Sequence, residues 1–579
     1  MPAILRLLTL CCLLLPASVL AARLEIPLRV PFDFVRQALL AQLNYREGPC
    51  RYVKLENLEM QGRDGQLHLS GPGTAALGLE LLGQCQNAAA WQGSMQLAVV
   101  PYVDGAGRLR VRVVDSQVTD AGGNTPALGF IWELSKRQLH PRLEQFSYDI
   151  GALRSSVLSI LRNVTPPQQL AQLERVLSQV ALLEPRVEPN AILMPIALEI
   201  PDAWLVAPPP ASASTAPLTE QELEALDTAL QPWDAFLAYT IKQLALDNAD
   251  SALRKRLFTL LLDSRHQLSA ILAGEAEASG DPLRALFVET WNELRSILAD
   301  RVPYAMFVDA GDALLALDRA APGLGMEISA DALRQLARSL RPGFAGDPLH
   351  YDWAVDPQLR RLFEVEETVP VRTSFVSAFI RTAQTTSERP LDRWIPARAE
   401  LPAYQRRVAD LLQKTAASEL QRAKLAAPYD AIYRHLVPTT ALIESCWRQY
   451  ALRAGKVSYL RSAAASVGIM QINQRVWRGF YDVERLRWEA AYNARAGAQI
   501  LMRYVRDYAI PYAERSGNPD HVPRAAYAVY NAGPRAVGRF AKDKPHPREQ
   551  RVDEHLWTLY RGMAAGGEAD LRTCGVRPD

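Results

Sequence analysis

At 579 residues the chain is too long for a single hydrophobic core, and it predicts two to four domains. Its composition, 49% hydrophobic and 22% charged residues, is that of an ordinary globular protein. The 65 basic and 63 acidic residues leave a net charge of +2, which gives no reason to expect nucleic acid as a partner.

Residues 1–22 have the pattern of a secretory signal peptide. Arg6 precedes an apolar run that ends at Leu15, and a helix-breaking Pro16 and the small-residue end "VLAA" follow. The apolar run is too short to span a membrane, and Leu10 rather than a small residue precedes Cys11, which argues against a lipoprotein. We expect cleavage after residue 21 or 22 and export of the mature chain, with an uncleaved anchor as the alternative.

Export would permit disulfide bonds in the mature chain. Four cysteines remain once the signal peptide is removed: Cys50, Cys85, Cys446 and Cys574. Four cysteines allow three pairings, and sequence proximity favours Cys50 with Cys85 and Cys446 with Cys574. The sequence has no CxxC or HExxH spacing, so it predicts neither a metal site nor a cofactor.

Residues 23–206 predict a mixed, strand-rich N-terminal domain. Apolar and polar residues alternate in "SMQLAVV" (94–100) and in "RLRVRVV" (108–114), and "PYVDGAG" between them has turn chemistry. This pattern indicates an antiparallel hairpin with one solvated face. The segment "FDFVRQALLAQL" (32–43) predicts a helix.

Two further features of this domain bear on ligands. The glycine-rich "GPGTAALG" (71–78) lacks the strand-then-helix setting of a phosphate loop, and it predicts a turn. The strand and helix pattern of the domain resembles tubular lipid-binding domains, which leaves open an envelope protein or a lipid, and hence membrane association, as partners of this region.

A Pro/Ala/Ser segment, "APPPASASTAP" (207–217), predicts a linker, and the region after it, 218–425, predicts helices. Thr219 and Glu222 have the spacing of a capping box, and Ser329 is predicted to cap a later helix. Leucines at helical spacing fill both helices. Such periodicity reports burial, so we expect this region to pack a core or to space domains rather than to bind a ligand.

The region 426–565 contains four motifs in a fixed order, and a short tail, 566–579, follows. The motifs are "ALIESCW" at 441, "SVGIMQIN" at 466, "AAYNARAGAQIL" at 490 and "AAYAVYNAGPRAVGRF" at 525. Together they resemble the lysozyme-like soluble lytic transglycosylase (SLT) domain, with its Glu-Ser, Gly-Leu-Met-Gln and Ala-Tyr-Asn motifs. The resemblance covers about 135 residues and implies a mostly helical catalytic domain that acts in the periplasm on peptidoglycan.

The resemblance implies that Glu444 is the catalytic acid. It lies on an apolar helix between Ile443 and Cys446, where partial desolvation would raise the pKa of a carboxyl toward the working pH. A helix-surface carboxylate is the alternative for an isolated glutamate, and the three companion motifs favour catalysis.

Most glycosidases use two carboxylates. The candidates for a second acid, Asp482, Glu484 and Glu489, alternate with arginines as a solvated charged face would. The resemblance implies a mechanism with one acid: the glutamate protonates the oxygen between N-acetylmuramic acid and N-acetylglucosamine, and the sugar's 2-acetamido group stabilises the cationic centre. The same residue then deprotonates the C6 hydroxyl, which closes a 1,6-anhydro ring without water.

The resemblance also implies substrate-binding residues. Ser445 would orient the acid or the acetamido group, Gly468 would allow close approach of the sugar, and the Tyr530 hydroxyl would hydrogen-bond near the acid. For the Met470 side chain, lining of the cleft and core packing are both open. The full set matched to the motifs is Ser445, Gly468, Ile469, Met470, Gln471, Tyr530 and Asn531.

Three departures from the family pattern limit which of the family's properties can be predicted for this chain. Glu444 and Gln471 are 27 positions apart, with "YALRAGKVSYL" as the apparent insertion, and Ala465 stands where the family has glycine. Val529 replaces the usual alanine. Tyr492 and Asn493 echo the later Tyr-Asn motif, but they introduce an apolar helix, so we expect them to support the fold.

The sequence therefore predicts a multidomain α+β protein that is exported and cleaves peptidoglycan glycan strands. Two alternatives stay open: a muramidase that consumes water, and a non-catalytic scaffold that binds cell wall or lipid. The sequence does not predict the pattern of cleavage along a strand or the oligomeric state.

Overall fold

The computed structural model describes residues 22–46, 50–81, 84–123, 136, 140–141, 143–149, 151–206, 220–274, 282–298, 304–326, 328–341, 343–365, 389–569 and 571. The chain forms two compact units, one within Met1–Ser212 and Trp291–Pro348 and the other within Ala213–Thr290 and Leu349–Asp579. The protein is thus multidomain and α+β, as predicted. The predicted helical region 218–425 contributes to both units. Residues 1–21 of the predicted signal peptide, the linker 207–217 and Cys574 lie outside the described residues.

The N-terminal region contains two antiparallel sheets. Its strands are β1 (Ala22–Pro31), β2 (Tyr45–Arg46), β3 (Arg51–Leu55), β4 (Glu59–Arg63), β5 (Gln66–Leu81), β6 (Gln84–Val103), β7 (Arg108–Asp120), β8 (Tyr148–Asp149), β9 (Ala181–Leu182), β10 (Arg186–Val187) and β11 (Ala191–Ile200). In one sheet β11 pairs with β1, β9 and β10, and the other sheet has the order β2, β3, β5, β6, β7, β8, with β4 also paired to β5. The region is strand-rich, as its period-two patterns predict.

The predicted hairpin is confirmed. β6 and β7 pair antiparallel from Val103 opposite Leu109, and Asp104 in the turn accepts hydrogen bonds from the backbone of residues 106 and 108. Met95 and Leu97 on one strand are each 2% exposed, whereas the polar residues that alternate with them face solvent. The alternation in sequence therefore reports one buried and one solvated face.

The turn predicted at 71–78 is wrong, because these residues lie inside β5. Gly71 pairs with Met95 and Gly73 pairs with Gly93 in the centre of the sheet. A Cβ atom on Gly73 would lie 2.6 Å from the Leu55 side chain, and one on Gly71 would lie 3.1 Å from the Glu56 carbonyl oxygen. These glycines permit close packing across the strand, a use that composition alone does not distinguish from a turn.

Three helices accompany these sheets: α1 (Phe32–Leu43), α2 (Gly151–Val164) and α3 (Pro167–Ser178). α1 is the predicted helix, and Val35, Leu39 and Leu43 on its inner face are completely buried. Cys50 and Cys85 form the predicted disulfide, with Cα atoms 5.3 Å apart, and it links the segment before β3 to the start of β6.

The described residues between 220 and 365 form helices and turns without a strand. These helices are α4 (Glu220–Asp247), α5 (Ser251–Leu272), α6 (Pro282–Leu298), α7 (Ala305–Ala320), α8 (Ala330–Leu340) and α9 (Pro357–Leu362). The predicted cap at Ser329 is confirmed, since its side chain accepts a hydrogen bond from the Ala332 amide. Thr219 of the predicted capping box lies outside the described residues. Leucines at helical spacing, among them Leu257 and Leu261, are buried in α5.

The C-terminal part is mostly helical with two small sheets. Its elements are α10 (Leu401–Ala423), α11 (Tyr429–Ser445), β12 (Tyr450–Arg453), β13 (Lys456–Tyr459), β14 (Ser466–Val467), β15 (Ile472–Asn473), α12 (Val483–Trp488), α13 (Ala490–Tyr504), α14 (Ile510–Ser516), α15 (His521–Ala532) and α16 (Pro547–Ala564). A π-helical turn joins α13 to α14. The apparent insertion forms the hairpin β12–β13. Among the helices of the described residues, none combines the length and the apolar character of a membrane span.

Candidate active site

Glu444 lies in the last turn of α11 and is half-buried. The helix ends directly after Ser445, because Cys446 adopts a left-handed backbone conformation with φ of 52°, and Trp447 follows with φ of 58°. The Trp447 indole is buried and donates a hydrogen bond to the Pro438 carbonyl at 2.9 Å. This indole therefore anchors the turn that ends the helix next to the acid.

The hydroxyl that contacts the acid belongs to Tyr527 on α15. Its Oη donates to Glu444 Oε1 at 2.9 Å, although the two residues are 83 positions apart in sequence. Tyr527 is 2% exposed. Burial and then the nearby Glu444 carboxyl raise the pKa of Tyr527 well above its ordinary value, so the phenol keeps its proton and acts as a donor.

Tyr530, the tyrosine that the motif indicates, has a different partner. Its hydroxyl donates to the Met470 carbonyl oxygen at 2.6 Å. Burial, followed by the charge of Glu444, raises the pKa of Tyr530 well above its ordinary value as well. One turn of α15 thus presents two protonated phenols, one to the acid and one to the backbone of the Gly-Ile-Met-Gln segment.

Ser445 joins the end of α11 to the same segment. Its Oγ lies 2.6 Å from the Ile469 carbonyl oxygen and 3.1 Å from the Ala441 carbonyl oxygen, and it accepts from the Arg448 amide. The side chain is buried. These contacts fix the position of the acid's helix, and the predicted orientation of an acetamido group stays a prediction.

Gly468 has a structural reason to be glycine. Its φ is +77°, and the space beside its Cα is occupied by the side-chain amides of Asn493 and Gln449. Gln449 Oε1 accepts from the Ile469 amide at 2.7 Å, and Asn493 Oδ1 accepts from the Met470 amide at 2.9 Å. The two amides therefore hold the segment in place, and the predicted approach of a sugar to Gly468 stays a prediction.

The two side chains after Ile469 lie in different surroundings. Met470 is completely buried and packs against Gly497 of α13, so core packing, one of the two interpretations left open, describes it. Gln471 is half-buried with φ of 44°, and its Nε2 donates to the Gly468 carbonyl at 2.8 Å. Gln471 therefore closes a tight turn and retains partial exposure.

The residues around the other motifs support the fold. Asn493 is completely buried and also donates to the carbonyls of Val467 and Leu486, which confirms the structural role expected for this motif. Asn531 is exposed, and its Oδ1 accepts from Arg539, which forms a buried ion pair with Asp553.

Ala465 has a left-handed φ of 62°. An alanine in this region is strained, because its Cβ approaches the backbone. The position therefore has a backbone conformation that favours glycine.

The three carboxylates considered as a second acid have other partners. Asp482 caps α12 by accepting from the Arg485 amide at 3.0 Å, and Glu489 pairs with the Arg485 side chain at 2.9 Å. Glu484 pairs with Arg487 at 2.6 Å. These contacts are those of a charged helix surface, as the alternation with arginine indicates.

Helix α5, from outside the predicted catalytic domain, contacts the motif loops. Ser269 Oγ accepts from the Asn473 side chain at 2.6 Å, and Asp263 Oδ1 accepts from the Arg535 amide at 3.1 Å. The His266 ring lies so close to Gly533 that a Cβ there would be 2.9 Å from it. Burial lowers the pKa of His266 to about 4, so the ring is neutral at pH 7.

A buried ion cluster ties α4 and α5 to the loop after β15. Asp234 accepts from Arg265 and from Arg478, each at 2.6 Å, and these three side chains are 8% exposed or less. Arg265 also donates to the carbonyls of Val476 and Arg478. The two guanidinium groups outweigh the burial that opposes ionisation, and they hold the pKa of Asp234 below its ordinary value.

Sequence reasoning missed Tyr527, Gln449 and the contribution of α5. Tyr527 carries a signal, since it precedes Tyr530 by three positions and so lies on the same helix face. Gln449 and α5 have no such signal in the sequence, because the residues that they contact are distant in sequence. Comparisons of the chain with protein-family models, with curated proteins and with solved structures found no match.

Proposed function

We propose that the protein is an exported, periplasmic lytic transglycosylase that cleaves the β-1,4 bond between N-acetylmuramic acid and N-acetylglucosamine in peptidoglycan. The observation that carries this proposal is the half-buried Glu444 carboxyl with the Tyr527 hydroxyl 2.9 Å from it. The motif segments around it are joined by the hydrogen bonds of Ser445 to Ile469 and of Tyr530 to Met470. Segments that are far apart in sequence thus meet beside one acid.

The position of Glu444 suits a group that must first hold a proton and then release it. An anion in the last turn of a helix faces the negative end of the helix dipole, which favours the neutral acid. The Tyr527 hydroxyl, which keeps its proton, stabilises the carboxylate after the proton has left. The same residue can therefore act as an acid and later as a base.

The proposed reaction has two proton transfers. Glu444 donates its proton to the glycosidic oxygen as the bond from that oxygen to C1 breaks, and the 2-acetamido group of the muramic acid stabilises C1. The Glu444 carboxylate then takes the proton of the C6 hydroxyl, whose oxygen forms a bond to C1. The products are a free 4-hydroxyl and a 1,6-anhydro end, and Glu444 is again protonated.

This scheme needs no second protein carboxylate, and three nearby in sequence are engaged elsewhere. Asp482 caps a helix, and Glu484 and Glu489 pair with arginines. A hydrolase that uses water would require a base to activate it. The contacts of these three acids therefore favour the mechanism with one acid over the muramidase alternative.

The test is the Glu444→Gln variant acting on purified peptidoglycan, with release of soluble muropeptides as the readout. We expect the rate to fall by about 10³-fold, the range of a lost general acid, with unchanged thermal unfolding. Glu514→Gln, an exposed acid of the same region, serves as the matched control and should act like the wild type. Full activity of Glu444→Gln would refute the assignment of the acid.

A further inference from the structure

A pocket lies among residues that the proposed reaction does not use. Its volume is about 380 Å³, within the ~300–1,000 Å³ typical of ligand sites, and it opens to solvent. Its lining comes from the loop before α9 and from the start of α12, and consists of Trp353, Ala354, Val355, Asp482, Val483, Glu484 and Arg487. None of these residues belongs to the motif set around Glu444.

An exposed and well-anchored indole forms one wall of this pocket. Trp353 is 39% exposed, and it packs edge-to-face on Tyr351 with ring centroids 5.7 Å apart. Arg478 lies 4.0 Å above the Tyr351 ring and donates to the Asp352 carbonyl at 2.9 Å. Arg478 is itself held by an ion pair with the buried Asp234. Its contacts with Tyr351 and Asp352 therefore stabilise the loop that carries Trp353.

The lining residues from α12 offer hydrogen-bond donors and acceptors. Arg487 pairs with Glu484 at 2.6 Å and donates to the Gln474 side chain at 2.8 Å. The Arg487 guanidinium also lies 5.3 Å from the centre of the Tyr459 ring, which limits its motion. The Glu484 side chain is 69% exposed and accepts hydrogen bonds, while Arg487 donates them.

These groups match the chemistry of a sugar better than that of a polyanion or an apolar ligand. The apolar C–H face of a pyranose packs on an indole, and hydroxyl and acetamido groups need both donors and acceptors at the rim. Two carboxylates beside a single arginine give no net positive charge to attract phosphates. An open site also admits a unit within a polymer as well as a free monosaccharide.

We infer that this pocket is a glycan-binding site, separate from the residues around Glu444, that takes an N-acetylated amino sugar of a peptidoglycan strand. The inference rests on the proposed function for the identity of the polymer. Such a site would hold the enzyme on the cell wall while the residues around Glu444 bind and release the bond to be cut.

The experiment measures co-sedimentation of the full mature chain with purified peptidoglycan, in the Glu444→Gln background so that the polymer is not consumed. Trp353→Ala should weaken binding by about tenfold, the effect of losing one well-packed aromatic contact. Glu484→Gln, which keeps the shape of the side chain, should weaken binding by about threefold. Phe344→Ala is the matched control, since Phe344 is 38% exposed and lies outside the pocket.

A second arm uses glycan strands from which the stem peptides have been removed. Equal losses for Trp353→Ala with intact and stripped strands support recognition of the glycan. The inference is overturned if Trp353→Ala and Glu484→Gln both bind like Phe344→Ala, or if binding through the pocket requires the peptides. Activity of Glu444→Gln separates the two proposals: full activity refutes the catalytic assignment, whereas an inactive variant with unaffected pocket mutants refutes only the second site.

Discussion

Two carboxylates of the second compact unit are at least half-buried, and their partners differ. Asp234 is 4% exposed and lies between the guanidinium groups of Arg265 and Arg478, each 2.6 Å away. Glu444 is half-buried and accepts a hydrogen bond from the Tyr527 hydroxyl at 2.9 Å. The first carboxylate is thus bound by two guanidinium groups, whereas one oxygen of the second accepts from a neutral phenol.

The difference separates a structural charge from the carboxyl that we propose to be the catalytic acid. Two cations make protonation of Asp234 unfavourable, so the cluster stays ionised and fixes α4, α5 and the loop after β15. A phenol stabilises a carboxylate less than a guanidinium does, so an acid beside it can change its protonation state during a reaction. Burial alone therefore does not mark a catalytic acid, and the charge of its neighbours must be considered.

The largest effect is expected from breaking the ion cluster. Arg265→Ala leaves Asp234 buried with a single cation and leaves the carbonyls of Val476 and Arg478 without their donor. We expect the free energy of unfolding to fall by ~3–5 kcal/mol, measured by urea denaturation. The control is Lys414→Ala, which removes an exposed ion pair with Asp410 and should cost less than ~0.5 kcal/mol. Equal effects would show that the cluster does not support the fold.

A smaller effect is expected from His266, which lies between α5 and the loop at Gly533. Its pKa is lowered to about 4 in the folded chain, from the ordinary value of 6.5, so the unfolded chain binds the proton more tightly. The stability due to the neutral ring is complete above pH 6.5 and is lost as the pH falls toward 4. We expect a loss of ~2.5 kcal/mol between pH 7 and pH 4.5 that His266→Gln removes.

The measurement is the free energy of unfolding as a function of pH for both proteins. An unchanged slope in His266→Gln would mean that this ring is not the group responsible.

The smallest effect is expected from Tyr527→Phe, which tests directly whether the neutral phenol beside Glu444 contributes to catalysis. Removing the hydroxyl leaves the carboxylate without this donor, so kcat should fall about tenfold while KM changes little. Tyr530→Phe is the matched variant, because it removes a hydroxyl one turn away that donates to the Met470 carbonyl instead. We expect its main effect on stability, by ~1 kcal/mol. A kcat that falls more for Tyr530→Phe would reverse the assignment of the two tyrosines.

Much of the local structure could be predicted from sequence, because it depends on neighbouring residues. The helix 32–43, the hairpin of β6 and β7 and the cap at Ser329 follow from periodicity and capping chemistry. The pairing of Cys50 with Cys85 follows from proximity. The glycines at 71–78 were assigned incorrectly because the same residue serves a turn and a crowded strand, and only the neighbouring chain decides between them.

The candidate site was predictable where the motif residues themselves make the contact. Glu444, Ser445 and Tyr530 come together, as their motifs indicate. The sequence predicted a tyrosine hydroxyl near the acid at Tyr530, because the motif names it, and did not identify Tyr527, which donates to the acid itself. The support from α5 could not be predicted, since helical periodicity shows that a face is buried and not what covers it.

The central claim, that one acid acts twice and no water enters the product, is tested most directly by digestion in water enriched in heavy oxygen. The wild type is incubated with purified peptidoglycan, and the new muramic acid ends are analysed by mass spectrometry. The account predicts 1,6-anhydro ends without heavy oxygen, and their near-complete loss in Glu444→Gln. Reducing ends that carry heavy oxygen, formed at a rate that depends on Glu444, would contradict it and identify a hydrolase.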